Sequence, residues 1–172
     1  MMFCPYCGSK IQPEISFSEE QGQKKVEGVI PLAVARGGSE EGLMFTLILT
    51  GSRLIIAKVT EEDENKISKA SGSILLGGSV LEPERHRKAL GAYSRRYLSL
   101  DPDSIMKESE GNESIKLADV KGIQISAEED AEGNQFYLLT LDISGGPKGF
   151  QIPTDRDSRD LLIATFGNRV HW

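Results

Sequence analysis

The chain has 172 residues, a formal net charge of -6, 38% hydrophobic residues and 6% aromatic ones. That length accommodates one domain with a modest core plus a small appendage. The negative balance disfavours generic binding to phosphate backbones or anionic membranes, and no apolar run approaches the ~20 residues that span a bilayer.

Residues 1–25 read as a separate segment. Cys4, Pro5 and Gly8 fall where the apolar part of a secretory signal would form, so the sequence predicts a soluble, cytoplasmic protein. Cys4 and Cys7 are its only cysteines. In a reducing compartment such a close pair points to metal binding rather than to a structural disulfide. Two thiolates separated by two residues, with a tight turn at Gly8, can take adjacent corners of a zinc tetrahedron. The stretch FCPYCGSKI, from Phe3 to Ile11, resembles the first knuckle of the short zinc-ribbon modules that often begin prokaryotic proteins.

That resemblance implies a second FCxxCG about ten residues further on. There the chain reads Phe17-Ser18-Glu19-Glu20-Gln21-Gly22-Gln23-Lys24. Phe17, Gly22 and Lys24 match Phe3, Gly8 and Lys10, while Ser18 and Gln21 stand where cysteines belong. Neutral Ser and Gln are poor zinc ligands, so the segment reads as a degenerate ribbon without a self-contained four-cysteine site. Three arrangements remain: zinc shared by Cys4 and Cys7 of two chains, zinc completed by His86 or His171, or a metal-free tail.

From residue 26 the pattern is β-rich. Val26 to Ala35 is a strand candidate ending in the turn Arg36-Gly37-Gly38-Ser39. Leu43 to Leu49 and Arg53 to Thr60 form a hairpin around Thr50-Gly51-Ser52, and their nearly continuous apolar residues predict that one end of it is covered on both faces. A helical insert is expected over about 61–108. It holds a charged helix at Glu61 to Lys69, and Gly72, Gly77 and Gly78 lack the Gly-Lys-Ser/Thr ending of a phosphate loop. Its clearest helix is Glu82 to Tyr97, with His86, Leu90, Tyr93 and Tyr97 on one face and Arg85, Lys88, Arg95 and Arg96 on another. Asp101-Pro102 caps a short helix. Strands are then expected at Ser114 to Leu117, Val120 to Ser126, Phe136 to Ile143 and Phe150 to Pro153. Thr154 is read as the cap of a last helix, Asp155 to Phe166, closed by Gly167.

About seven strands followed by one amphipathic helix, together with LILTGSRLIIAK at Leu47 to Lys58 and RRYLSLDPDSIMKESEGNESIKLADVKGI at Arg95 to Ile123, resemble prokaryotic pleckstrin-homology-like (PH-like) domains. The resemblance covers most of residues 26–172 and implies a β-rich α+β fold. The expected form is a bent antiparallel barrel of about seven strands, capped by the C-terminal helix and carrying the insert.

No nucleophile–base pairing follows from spacing, and the acidic run Glu128-Glu129-Asp130 reads as a solvated turn, so an enzyme is not expected. Phosphoinositide-binding PH domains place several cations in the first loop. Here Arg36 faces Glu40 and Glu41 in that loop, which disfavours such binding. Lys10, Lys24 and Lys25 are offset by Glu14, Glu19 and Glu20, so a nucleic-acid or transcription accessory role of zinc-ribbon type ranks low. The leading expectation is a non-catalytic interaction or scaffold module for a protein partner, self-associating through the Cys4 and Cys7 knuckle. The alternative is a peripheral membrane module whose Arg85, Lys88, Arg95 and Arg96 contact anionic lipid weakly.

Overall fold

A computed structural model describes residues 2–3, 10–11, 25–71, 75–76, 79–80, 83–131 and 133–172. Cys4, Cys7 and the stretch Phe17 to Lys24 lie outside the described residues, as does the side chain of His86. Met2–Phe3 pairs with Lys10–Ile11, and Leu75–Leu76 pairs with Ser79–Val80; both are separate from the main sheet.

The main sheet is built from β1 (Val26–Arg36), β2 (Met44–Thr50), β3 (Arg53–Lys58), β4 (Glu113–Lys116), β5 (Val120–Glu129), β6 (Gln135–Ile143), β7 (Lys148–Pro153) and β8 (Val170–His171). Helices α1 (Glu61–Ser71), α2 (Pro83–Ser94) and α3 (Pro102–Glu108) lie between β3 and β4, and α4 (Arg156–Phe166) follows β7. The spatial order is β8-β5-β6-β7-β1-β2-β3-β4. Every pairing is antiparallel except that of β8 with β5.

The β-rich α+β class holds, but the expected closed antiparallel barrel of about seven strands does not. The sheet has eight strands, is mixed, and stays open between β4 and β8. The reason is the C-terminal chain. Val170 and His171 pair with Ile123 and Gln124, taking the β5 edge that closure would need. Arg169 bridges the opening instead, its Nη1 donating to the Leu117 and Val120 carbonyls at 2.6 and 3.0 Å.

The main core lies inside the curled sheet. Ile30, Leu47, Leu54 and Ile56 meet Ile123, Leu139, Leu141 and Phe150 there, and Leu162 and Phe166 of α4 pack over them. The helical insert covers the outer face of the hairpin, where Ile48, Ile55 and Ala57 pack with Tyr97 and Ile105. This double cover explains the continuous apolar run in β2 and β3, since alternation is lost when both faces are buried. Thr46 Oγ1 and Ser94 Oγ, both buried, lie 3.1 Å apart and pin the end of α2 to β2. Asn112 adds a second tie, accepting from Lys58 N at 2.9 Å and donating to Ile105 O at 2.7 Å.

β1 breaks in the middle. Leu32 has φ 58, and the register with β2 shifts between Ile30 and Ala33. A non-glycine residue in this region costs about 1–2 kcal/mol, so packing on both sides must hold the kink. Beyond it β7 pairs only with Val34, Ala35 and Arg36. The β7 side of residues 26–33 therefore has no strand partner among the described residues. Helix α4 approaches there instead: a Cβ on Gly28 would lie 2.6 Å from Leu161 Cδ1, so glycine at this position lets the helix sit close.

Candidate functional site

Among the described residues, two clefts beside the helical insert bring polar and charged side chains together. The first is walled by α1, α2 and α3 and has a volume of about 480 Å³. Thr60 and Asp63 start α1 with reciprocal hydrogen bonds: Thr60 N and Oγ1 donate to Asp63 Oδ2 at 3.1 and 2.8 Å, and Asp63 N donates to Thr60 Oγ1 at 3.2 Å. Tyr93 of α2 donates its hydroxyl to the other carboxylate oxygen, Asp63 Oδ1.

Helix α2 ends at Ser94 and tightens into a 3-10 turn over Arg95–Ser99. This changes the fate of Arg96. At 3.6 residues per turn it belongs with the cationic face, but three residues per turn swing it back over the tyrosines. Its guanidinium carbon lies 4.5 Å from the Tyr93 ring centre and 4.4 Å from that of Tyr97. Nη1 and Nη2 donate to Glu108 Oε1 and Oε2 at 3.0 and 2.9 Å, and Nη2 also donates to the Tyr97 hydroxyl at 2.9 Å. A planar guanidinium between two rings and against a carboxylate is a joint that lysine could not make.

The titration of this joint follows from its contacts. Burial alone would raise the Asp63 carboxyl, but the hydrogen bonds from Tyr93 and Thr60, with the charge of Arg96, hold it below its ordinary value. Burial and the bond to Asp63 push the Tyr93 phenol above the usual range, and burial does the same to Tyr97. Asp63 is thus an anion and both tyrosines are neutral at pH 7. Neither Asp63 nor either tyrosine changes charge near neutrality. Together with Arg96 they tie α1 to α2 and α3.

The second cleft lies on the other side of α2 and has a volume of about 410 Å³. Its floor is the partnerless side of β1, at Glu27, Gly28, Val29 and Pro31. One wall is α2 and its 3-10 turn, with Gly91, Arg95 and Leu98; the other is the start of α4, with Asp157 and Leu161. Leu98 is 45% exposed. Gly91 is the telling residue. A Cβ built there meets nothing within 4 Å, so no packing constraint calls for glycine. Glycine within a helix nevertheless costs about 0.5–1 kcal/mol relative to alanine. Leaving it bare keeps the cleft open.

The rim of this groove is acidic. Glu27 and Asp157 are exposed. Asp155 is occupied in capping α4, accepting from Ser158 N and Oγ at 2.7 and 2.8 Å. Arg95 is the one lining cation.

The four cations expected on one face are therefore divided. Arg85 and Lys88 are on the exposed side of α2, Arg95 lines the groove, and Arg96 is part of the joint. His171 is exposed in β8. Among the described residues, no group of three or more His, Cys, Asp or Glu is placed to hold a metal ion, and Cys4 and Cys7 are outside that set. Among the described residues, no helix is long and apolar enough to cross a membrane. Sequence reasoning missed Asp63, Glu108 and Gly91. The pattern Thr60-x-x-Asp63 signals the first as a helix start, and an isolated glycine within a helical pattern flags the last. Glu108 carries no local signal, because its partner is brought to it by the turn after α2.

No family model matches the sequence, and no curated protein matches it. Among solved structures, the chain is similar to the C-terminal domain of an unknown protein from Leishmania infantum. The identity is 11%, the match covers 86% of this chain and 88% of that one, and the TM-score is 0.44.

Proposed function

We propose that the chain is a non-catalytic interaction module on a PH-like scaffold, and that the groove between β1, α2 and α4 receives a segment of a partner protein. The PH-like part of this reading is supported by the succession of seven antiparallel strands, β5-β6-β7-β1-β2-β3-β4, with a helix following β7. The docking part is carried by Gly91, whose bare backbone faces open space in the groove beside the exposed Leu98. A glycine that costs helix stability and relieves no clash is explained when something else must come close. The other cleft supports the same reading, since Tyr93 is bonded to Asp63 and the Arg96 fork to Glu108. The membrane alternative loses one of its four cations, because Arg96 is committed to Glu108.

A photo-crosslinking residue at position 98, compared with one at the exposed Lys121 on β5, tests the docking surface in cells that express the protein. A discrete product from position 98 that position 121 does not give is the expected result. Equal products from both sites, or none from either, would contradict it.

A further inference from the structure

The groove also constrains what its occupant looks like, an inference that rests on the docking role proposed above. We infer that it receives an extended segment of a partner protein in which an apolar side chain is flanked by lysine or arginine.

Three features lead there. The first is the floor. The β7 side of β1 has no strand partner before Val34, and Glu27, Gly28, Val29 and Pro31 line the groove there, with Glu27 exposed, Val29 and Pro31 half-buried and Gly28 buried. A floor of strand residues between two helix walls favours an extended chain lying along it, with Glu27 and Val29 as the accessible positions. At ~3.3 Å per residue, this stretch of β1 matches four or five residues of a partner. Pro31, which lacks an N–H, ends the stretch.

The second feature is the apolar seat. Gly91 leaves room, and Val29, Leu98 and Leu161 line the space around it. One branched or aromatic side chain of the partner would fill this space and cover Leu98. Pockets that accept a single apolar anchor within a polar rim are where binding energy concentrates.

The third feature is charge. Glu27 at the start of the floor and Asp157 on the α4 wall are exposed carboxylates that line the groove. Arg95 is the single opposing cation, and the whole chain carries -6. A basic segment is drawn to this rim, whereas an acidic one is repelled by it. The occupant is thus a cationic, apolar-centred strand.

The test is selection of random-sequence peptides displayed on phage against the full chain, with counter-selection on Gly91→Trp. Leu98→Asp serves as a second block, since it sits on the exposed rim and leaves α2 intact. Sequences retained by the wild type and lost on both variants should place Lys or Arg on either side of one apolar residue. Their affinity should drop roughly five- to tenfold in the Glu27→Lys/Asp157→Lys double variant and should weaken with salt. Groove-dependent peptides that are acidic or uncharged would overturn the inferred chemistry while leaving the docking role in place. Failure of any peptide to distinguish the wild type from both blocked variants would overturn the two together.

Discussion

Tyr93 donates its hydroxyl to the carboxylate of Asp63, thirty residues earlier in the chain, and so joins α2 to the first turn of α1. The same carboxylate caps α1 through Thr60, and the Tyr93 ring is one of the two faces that hold Arg96. Removing the hydroxyl alone should therefore be felt. Tyr93→Phe is expected to cost about 1–3 kcal/mol, because the buried Asp63 loses a donor while its desolvation persists. Urea unfolding checks this. Asp63→Asn combined with Tyr93→Phe should cost less than the sum of the two single changes.

The joint also sets a pH window. The folded value of Asp63 lies below its ordinary 3.8, so its contribution is complete above that pH and is lost as pH falls toward the lowered value. The folded value of Tyr93 lies above its ordinary 10.0, so its contribution is complete below that pH and declines as pH rises beyond it. Between these limits Asp63 and Tyr93 contribute no pH dependence. Thermal unfolding as a function of pH should show the acid loss reduced in Asp63→Asn and the alkaline loss reduced in Tyr93→Phe.

The position of Arg96 changes how a membrane role must be tested. Arg96→Glu sets a carboxylate against Glu108 and between two tyrosine rings, and is expected to destabilise the fold by about 1–3 kcal/mol. A charge-reversal variant that includes it would confuse unfolding with lost binding. The clean variant changes Arg85, Lys88 and Arg95 to Glu and leaves Arg96 in place. Co-sedimentation with anionic vesicles should recover neither the wild type nor this variant, and recovery of the wild type alone would revive the lipid reading.

Much of the fold is legible in the sequence for local reasons. The β2–β3 hairpin announces its double burial through its unbroken apolar run, and Asp101 caps α3 as its position before Pro102 suggests. The last helix begins one residue later than expected, since Asp155 rather than Thr154 supplies the capping oxygen; a carboxylate accepts from Ser158 N and Oγ together. What the sequence hides is set by distant partners. Nothing near Val170 indicates that it will take the edge of β5 and leave the sheet open. The switch from 3.6 to three residues per turn at Arg95 has no strong local marker, yet it decides that Arg96 faces inward. The groove is hidden for the same reason: its floor, walls and rim come from three segments that meet only in the folded chain.

Metal at the N-terminus is testable independently of the described residues. With Ser18 and Gln21 in place of a second cysteine pair, zinc retained by the knuckle should appear as one ion per two chains, held by Cys4 and Cys7 of each. Native mass measured with metal content, before and after chelation, checks this, and Cys4→Ser should then remove both metal and dimer. One zinc per monomer would point to His86 or His171 instead, and a metal-free monomer would leave the segment a remnant.

The most direct measurement of the docking role is a series at Gly91 in which stability and peptide binding are followed together. Gly91→Ala should raise the unfolding free energy by about 0.5–1 kcal/mol, since a Cβ there meets open space and alanine favours the helix. Gly91→Leu and Gly91→Trp should remain folded while affinity for groove-selected peptides falls steadily with side-chain size. Binding that is indifferent to the size of residue 91, or a stability that falls in step with binding, would show that glycine is there for the fold and not for a partner.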